Sequence, residues 1–176
     1  MKELSLHILD IAQNSLSAGA SLVEMLLEET SAALSVTIRD DGRGMTQELV
    51  RRVLDPFTTT RTTRKVGMGL PLFKLAAEQT GGTLDIESAP GEGTVVRAIF
   101  QTGSIDIPPL GDMAGTLVTL VSGAPDVDFV YRYMTDGNLS ELDTRELRAV
   151  LEDVALDTPE VLAWIRDSLR EAENKQ

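Results

Sequence analysis

Apolar side chains recur along this chain with two different periods, and each change of period marks a change of element. Leu4, Leu6, Ile8, Leu9, Ile11, Ala12 and Leu16 fall at helical spacing and predict an opening helix that stops at Ala18-Gly19. Leu22 to Glu28 and Leu34 to Arg39 alternate apolar with polar residues on either side of a short polar break, which predicts two paired strands. Thr46 suits the N-cap of a short helix to about Leu54, with Glu48 in its first turn, where a carboxylate complements the helix dipole. Leu70 to Gln79 reads as a second core helix stopped by Gly81-Gly82, followed by strands Thr83 to Glu87 and Thr94 to Phe100 around a Gly/Pro turn. Hairpin-paired strands with helices on one face predict an α+β two-layer sandwich rather than a doubly wound sheet.

Beyond Gln101 the pattern loosens and then resumes. Ile105 to Gly111 is a Pro/Gly linker, extended because a residue before proline avoids the α region. Asp112 can cap a helix to about Ser122; Phe129 to Tyr133 and Asn138 to Leu142, divided by Asp136-Gly137, read as a hairpin. Asp143 and Thr158-Pro159 open two further helices. The expected organisation is therefore a core over residues 1–103 and an αββαα extension over 104–176. That extension packs on the core, swaps into a partner or binds a client, and amphipathic spacing alone does not choose among these.

Four short segments carry the chemistry. Asp10 and Asn14 stand four apart, so one helix face presents a carboxylate and an amide, able to supply a general base and a metal ligand. Asp40-Asp-Gly-Arg-Gly44, Gly67-Met-Gly-Leu70 and Gly91-Glu-Gly-Thr94 place glycine where backbone must turn tightly or approach a ligand, which is loop chemistry suited to phosphates. Together they read as a nucleotide site. His7, three residues before Asp10, either reaches that site or packs in the core.

Composition narrows the classes. There is no cysteine, which excludes disulfides and thiol nucleophiles, and a single histidine leaves a transition metal few ligands. A net charge of −12 disfavours nucleic acid, local basicity being confined to Arg51-Arg52 and to Arg61 through Lys65. No apolar run approaches the roughly 18 residues of a membrane span, and Met1-Lys-Glu-Leu4 lacks a signal-peptide core. A cytoplasmic protein is expected.

In order and spacing the four segments, with Asp55-Pro-Phe57 between the second and third, resemble the N, G1, F, G2 and G3 boxes of the GHKL ATPase superfamily: gyrases, heat-shock chaperones, histidine kinases and MutL proteins. The resemblance covers about residues 1–101 and implies a Bergerat-type ATP-binding fold with ATP and Mg²⁺ as ligands. It implies that Asn14 ligates Mg²⁺ and that Asp10 orients or deprotonates a nucleophile. It also implies that Asp40 accepts a hydrogen bond from the adenine amino group beside Gly42, Gly44 and Met45, with Thr94 adjacent. Phe57 corresponds to the F box, and Arg61, Arg64 and Lys65, between it and Gly67, lie in the segment that corresponds to the ATP lid. Gly67, Met68, Gly69 and Leu70 correspond to a phosphate-binding helix start.

Three departures from the histidine-kinase pattern stand out, one being Ser17, three after Asn14, where histidine kinases often carry Lys. The position four before Asn14 is a carboxylate, as in ATP hydrolysers and anti-sigma-factor kinases, where histidine kinases commonly have Asn. Pro71 replaces the third glycine of the G2 box, which a first helical turn tolerates. With no helical hairpin ahead of the N box and no transducer-sized domain after it, the expectation is a stand-alone core acting on a partner protein. It would be either a protein kinase or slow ATPase with Asp10 as base, or a non-catalytic module that senses ATP and ADP. A homodimer through the extension is compatible with either.

Overall fold

A computed structural model describes residues 2–57 and 68–175 of the chain. In order these form α1 (Leu4–Ser17), β1 (Leu22–Glu29), β2 (Ala33–Asp40), α2 (Gln47–Leu54), α3 (Gly69–Gln79), β3 (Thr83–Ser88) and β4 (Thr94–Gln101). They continue with α4 (Met113–Gly123), β5 (Asp128–Thr135), β6 (Asn138–Asp143), α5 (Thr144–Leu151) and α6 (Pro159–Asn174). The strands make one sheet in the order β3-β4-β2-β1-β5-β6, antiparallel except where β5 runs parallel to β1. This is the α+β sandwich expected from the hydrophobic pattern, and the hairpin of the extension prolongs the same sheet.

Strand alternation decides which face the helices cover. Val23, Met25 and Leu27 of β1, Val36 and Ile38 of β2, Ala98 and Phe100 of β4, and Phe129 and Tyr131 of β5 turn into one buried cluster with Leu4 and Ile8 of α1 and Phe73 of α3. Leu117, Ile165 and Leu169 of the extension belong to that cluster as well. Each such apolar side chain, fully removed from water, stabilises the fold by roughly 1.5–3 kcal/mol. On the opposite face the polar residues pair in register, Arg39 opposite Glu24, Arg97 opposite Asp85 and Arg132 opposite Glu141. Glu24, Arg39, Arg97 and Arg132 line an open groove of about 330 Å³ on that face, whose alternating charges suit a solvated sheet face.

Helix ends follow the cap residues. Thr46, Asp112, Asp143 and Thr158 each accept a backbone N–H of the turn they open. Helix α1 differs, because Glu3 makes no side-chain cap. Its first amides are satisfied from the linker, Leu4 N–H donating to Pro109 O at 2.9 Å and Ser5 N–H to Leu110 O at 2.8 Å. Those residues, read in sequence as an extended linker, also serve as a cap.

Candidate functional site

The C-terminal half of α1, the β2 end and the β3–β4 turn meet at one edge of the sandwich. Asp40 is the last residue of β2 and pairs in register with Thr94, the first of β4. Its Oδ2 accepts from the Ser15 hydroxyl at 2.6 Å and its Oδ1 from Gly42 N–H at 2.9 Å, which fixes the carboxylate in orientation. A carboxylate offers about four lone-pair sites, so acceptor capacity remains. The adjacent Asp41 is spent on structure: it accepts from Ser21 N–H at 2.7 Å and Leu22 N–H at 3.0 Å. Burial pushes the Asp41 carboxyl up, but the hydrogen bonds from Ser21 and Leu22 outweigh it and hold the group below the usual carboxylate range.

Glycine is required where the loops close. Gly44 lies at φ +71°, and a Cβ there would stand 1.9 Å from Ala89 O; a Cβ on Gly93, at φ +78°, would stand 2.0 Å from Asp40 O. Backbone thus packs on backbone between the Asp40 loop and the β3–β4 turn. Arg43 N–H donates to Ala18 O at 2.9 Å and Gly91 N–H to Arg43 O at 2.7 Å, tying both to the end of α1. Ser88 completes the stitching: its hydroxyl accepts from Met45 N–H at 2.8 Å, donates to Gly93 O at 2.9 Å and lies 2.9 Å from Thr94 Oγ1.

One helical turn of α1 faces the start of α3. A Cβ built on Gly69 would be 3.4 Å from Asp10 Cβ and 4.0 Å from Asn14 Nδ2, so carboxylate, amide and helix N-terminus converge. The Asn14 amide makes no hydrogen bond to another described residue, and Met68 supplies no side-chain cap to α3. Leu70 packs in the core, so its contribution to this end is its backbone, and Pro71 is accommodated in the same first turn. The Asp10 carboxylate is paired with the Lys2 ammonium. His7, on the same side of α1, is buried and stacks on Phe73 with ring centroids 5.4 Å apart. Burial, and secondarily Lys2, push its pKa down against the upward pull of Asp10, so it is a neutral core residue.

This donor set fits an adenine nucleotide. An oriented carboxylate with close-packed glycine backbone beside it sits at one end, and a helix start without a side-chain cap at the other. Among the described residues no group of three His, Asp or Glu side chains stands ready to cage a metal.

The family model for histidine kinase-, DNA gyrase B- and HSP90-like ATPases matches residues 2–104, more than half of the chain. The chain belongs to this ATPase family. Among its relatives, the sensor histidine kinase ZraS of Klebsiella oxytoca is 30% identical over 95 residues, which are 54% of this chain and 20% of that protein. Sporulation kinase A of Bacillus subtilis is 26% identical over 100 residues, 57% of this chain and 16% of that one. Sensor histidine kinase YxdK of the same organism is 39% identical over 69 residues, 37% and 21% respectively. The chain thus spans about a fifth of the length of these kinases.

Of the residues the family resemblance singles out, the structure gathers Asp40, Gly42, Gly44, Met45 and Thr94 at one end and Asp10, Asn14, Met68, Gly69 and Leu70 at the other. Phe57 stands apart after α2 and is 94% exposed. Arg61, Arg64, Lys65 and Gly67 lie outside the described residues. Ser15, Ser88 and Lys2 were not foreseen. Ser15 follows Asn14 directly and offered a weak signal, whereas the roles of Ser88 and Lys2 depend on pairing that no local pattern encodes.

Proposed function

We propose that this chain is a Mg²⁺-dependent ATP-binding protein kinase or slow ATPase that acts on a partner protein. The observation that carries the reading is the meeting of Asp10 and Asn14 with the start of α3, together with an Asp40 carboxylate already oriented by Ser15 and Gly42. In this reading Asp40 accepts from the adenine amino group, and the first-turn N–H groups of α3 face the phosphates, where the helix dipole favours negative charge. Asn14 would hold Mg²⁺ through its amide oxygen, and the ion would supply charge neutralisation at the phosphates. Asp10 accepts the proton of the attacking water or hydroxyl, which requires its carboxylate free and ionised. The histidine-kinase relatives support a phosphoacceptor or client protein as partner, and the extension, residues 104–176, offers a surface for one or for a second copy. No helix among the described residues is long and apolar enough to cross a membrane.

One observation favours a second reading. Asp10 is tied to Lys2, and a base held in an ion pair suits a module that binds ATP or ADP and signals by conformation. Asp10→Asn separates the two. If Asp10 is the base, the substitution lowers turnover of γ-labelled ATP, to phosphate or to a partner, by about 10²–10⁴-fold with MgATP binding nearly intact. An unchanged rate removes Asp10 from the chemistry and favours the module.

A further inference from the structure

Lys2 precedes α1, yet its ammonium reaches Asp10 Oδ2 on the second turn. Its starting point is anchored. The next residues are stitched to the linker by the Leu4–Pro109 and Ser5–Leu110 hydrogen bonds. Gly111, at φ +79°, presses so closely on this stretch that a Cβ would meet the Glu3 carboxylate at 2.2 Å and the Ser5 hydroxyl at 2.5 Å. A segment tied down this way is held in place against its neighbours. The ammonium is therefore presented at the end of the site where Asp10, Asn14 and the start of α3 meet.

The pair itself is weakly held. Both side chains are partly exposed, 38% for Lys2 and 42% for Asp10, and ion pairs in such surroundings contribute little. A terminal phosphate is a stronger competitor for an ammonium than one carboxylate, since it carries more charge and more acceptor oxygens. Lys2 is also the cation that the described part of the site presents there; Arg43, by contrast, turns its guanidinium to Ser17 O.

We propose that Lys2 is a specificity-determining residue of the nucleotide site. It rests on Asp10 when no nucleotide is bound and moves to the terminal phosphate when ATP binds, favouring ATP over ADP and freeing the Asp10 carboxylate in the same movement. This rests on the nucleotide-site reading above. The exchange breaks one ion pair and forms another, with no net change in protonation.

The test is titration calorimetry of MgATP and MgADP on the whole chain, wild type against Lys2→Gln and Lys2→Arg, with thermal melts confirming that each variant is folded. Lys2→Gln is expected to weaken MgATP about tenfold, equivalent to about 1.4 kcal/mol, and to change MgADP less than about twofold on the same scale. Lys2→Arg, which keeps the charge, should recover most of the loss. Equal changes for both nucleotides, or none, overturn the proposal and leave a surface ion pair. A wild-type chain that binds neither nucleotide sinks the site reading itself, a result distinct from binding that ignores Lys2.

Discussion

Replacing Ser15 with alanine tests whether the site is built around an oriented Asp40. The hydroxyl carries one proton and faces two acceptors, Asp40 Oδ2 at 2.6 Å and Ile11 O at 3.4 Å, so the proton goes to the carboxylate. A hydrogen bond to a charged acceptor contributes about 1.5–3 kcal/mol. Ser15 is buried but Asp40 is half-buried, and water can replace part of what is lost, so the expected cost is near 1–1.5 kcal/mol, at or below the low end of that range. For a chain of this size that lowers Tm by about 2–6 °C. MgATP affinity should fall about 3–10-fold, because the carboxylate proposed to accept from adenine keeps only its Gly42 tether. The decisive measurement is a double-mutant cycle with Asp40→Asn, read by urea denaturation and by calorimetry. Groups in contact couple by about 0.5–3 kcal/mol, so Ser15→Ala should cost distinctly less in the Asp40→Asn background. Strict additivity would mean that the 2.6 Å contact does not orient Asp40, and the account of the adenine end would fail.

Two further outcomes follow from the geometry. Gly44→Ala forces a Cβ against Ala89 O from a left-handed backbone, a strain of about 1–2 kcal/mol before the clash is counted; ATP affinity should collapse while circular dichroism stays native-like, and unchanged affinity refutes the close-approach argument. His7 is held neutral, its folded pKa below the unfolded value of about 6.5, so the unfolded state takes up the proton first as pH falls; stability should drop as pH is lowered from 7 through that value, and His7→Leu should flatten the slope seen in urea melts.

Much of this was legible in sequence because helix and strand periods are local and strong. The alternation in β1 and β2 and the spacing of Leu4, Ile8 and Ile11 each have one arrangement that buries the apolar face, and the cap residues mark where helices begin. Glycine signals were readable for the same reason: Gly44 and Gly93 sit where only a residue without Cβ fits. What escaped depends on pairing. Ser88 becomes a hub only once β3 and β4 are in register and the Asp40 loop folds over them, and nothing near Ser88 encodes that. Likewise Asp40 and Asp41 are neighbours of one type, and it is the Ser21–Leu22 amides that commit Asp41 to structure.

The parallel placement of β5 beside β1 carries the deepest mechanical consequence. Parallel neighbours need a crossover, and here it is supplied by the linker and α4, which pass over the start of α1. Thr116 of α4 donates to Ser5 O, and Leu117 and Leu120 share the buried cluster with Leu4 and Ile8. The helix bearing Asp10 and Asn14 is thus clamped at its N-terminus by residues 109–116 and stitched at its C-terminus to the Asp40 loop. The Lys2–Asp10 pair lies toward the clamped start of this helix and the Ser15–Asp40 contact toward its stitched end, little more than one turn further along. The extension thus touches α1 at its start through residues 109–116, and reaches the Asp40 loop at the other end through Asp128, whose N–H donates to Ser21 O beside the amides that hold Asp41.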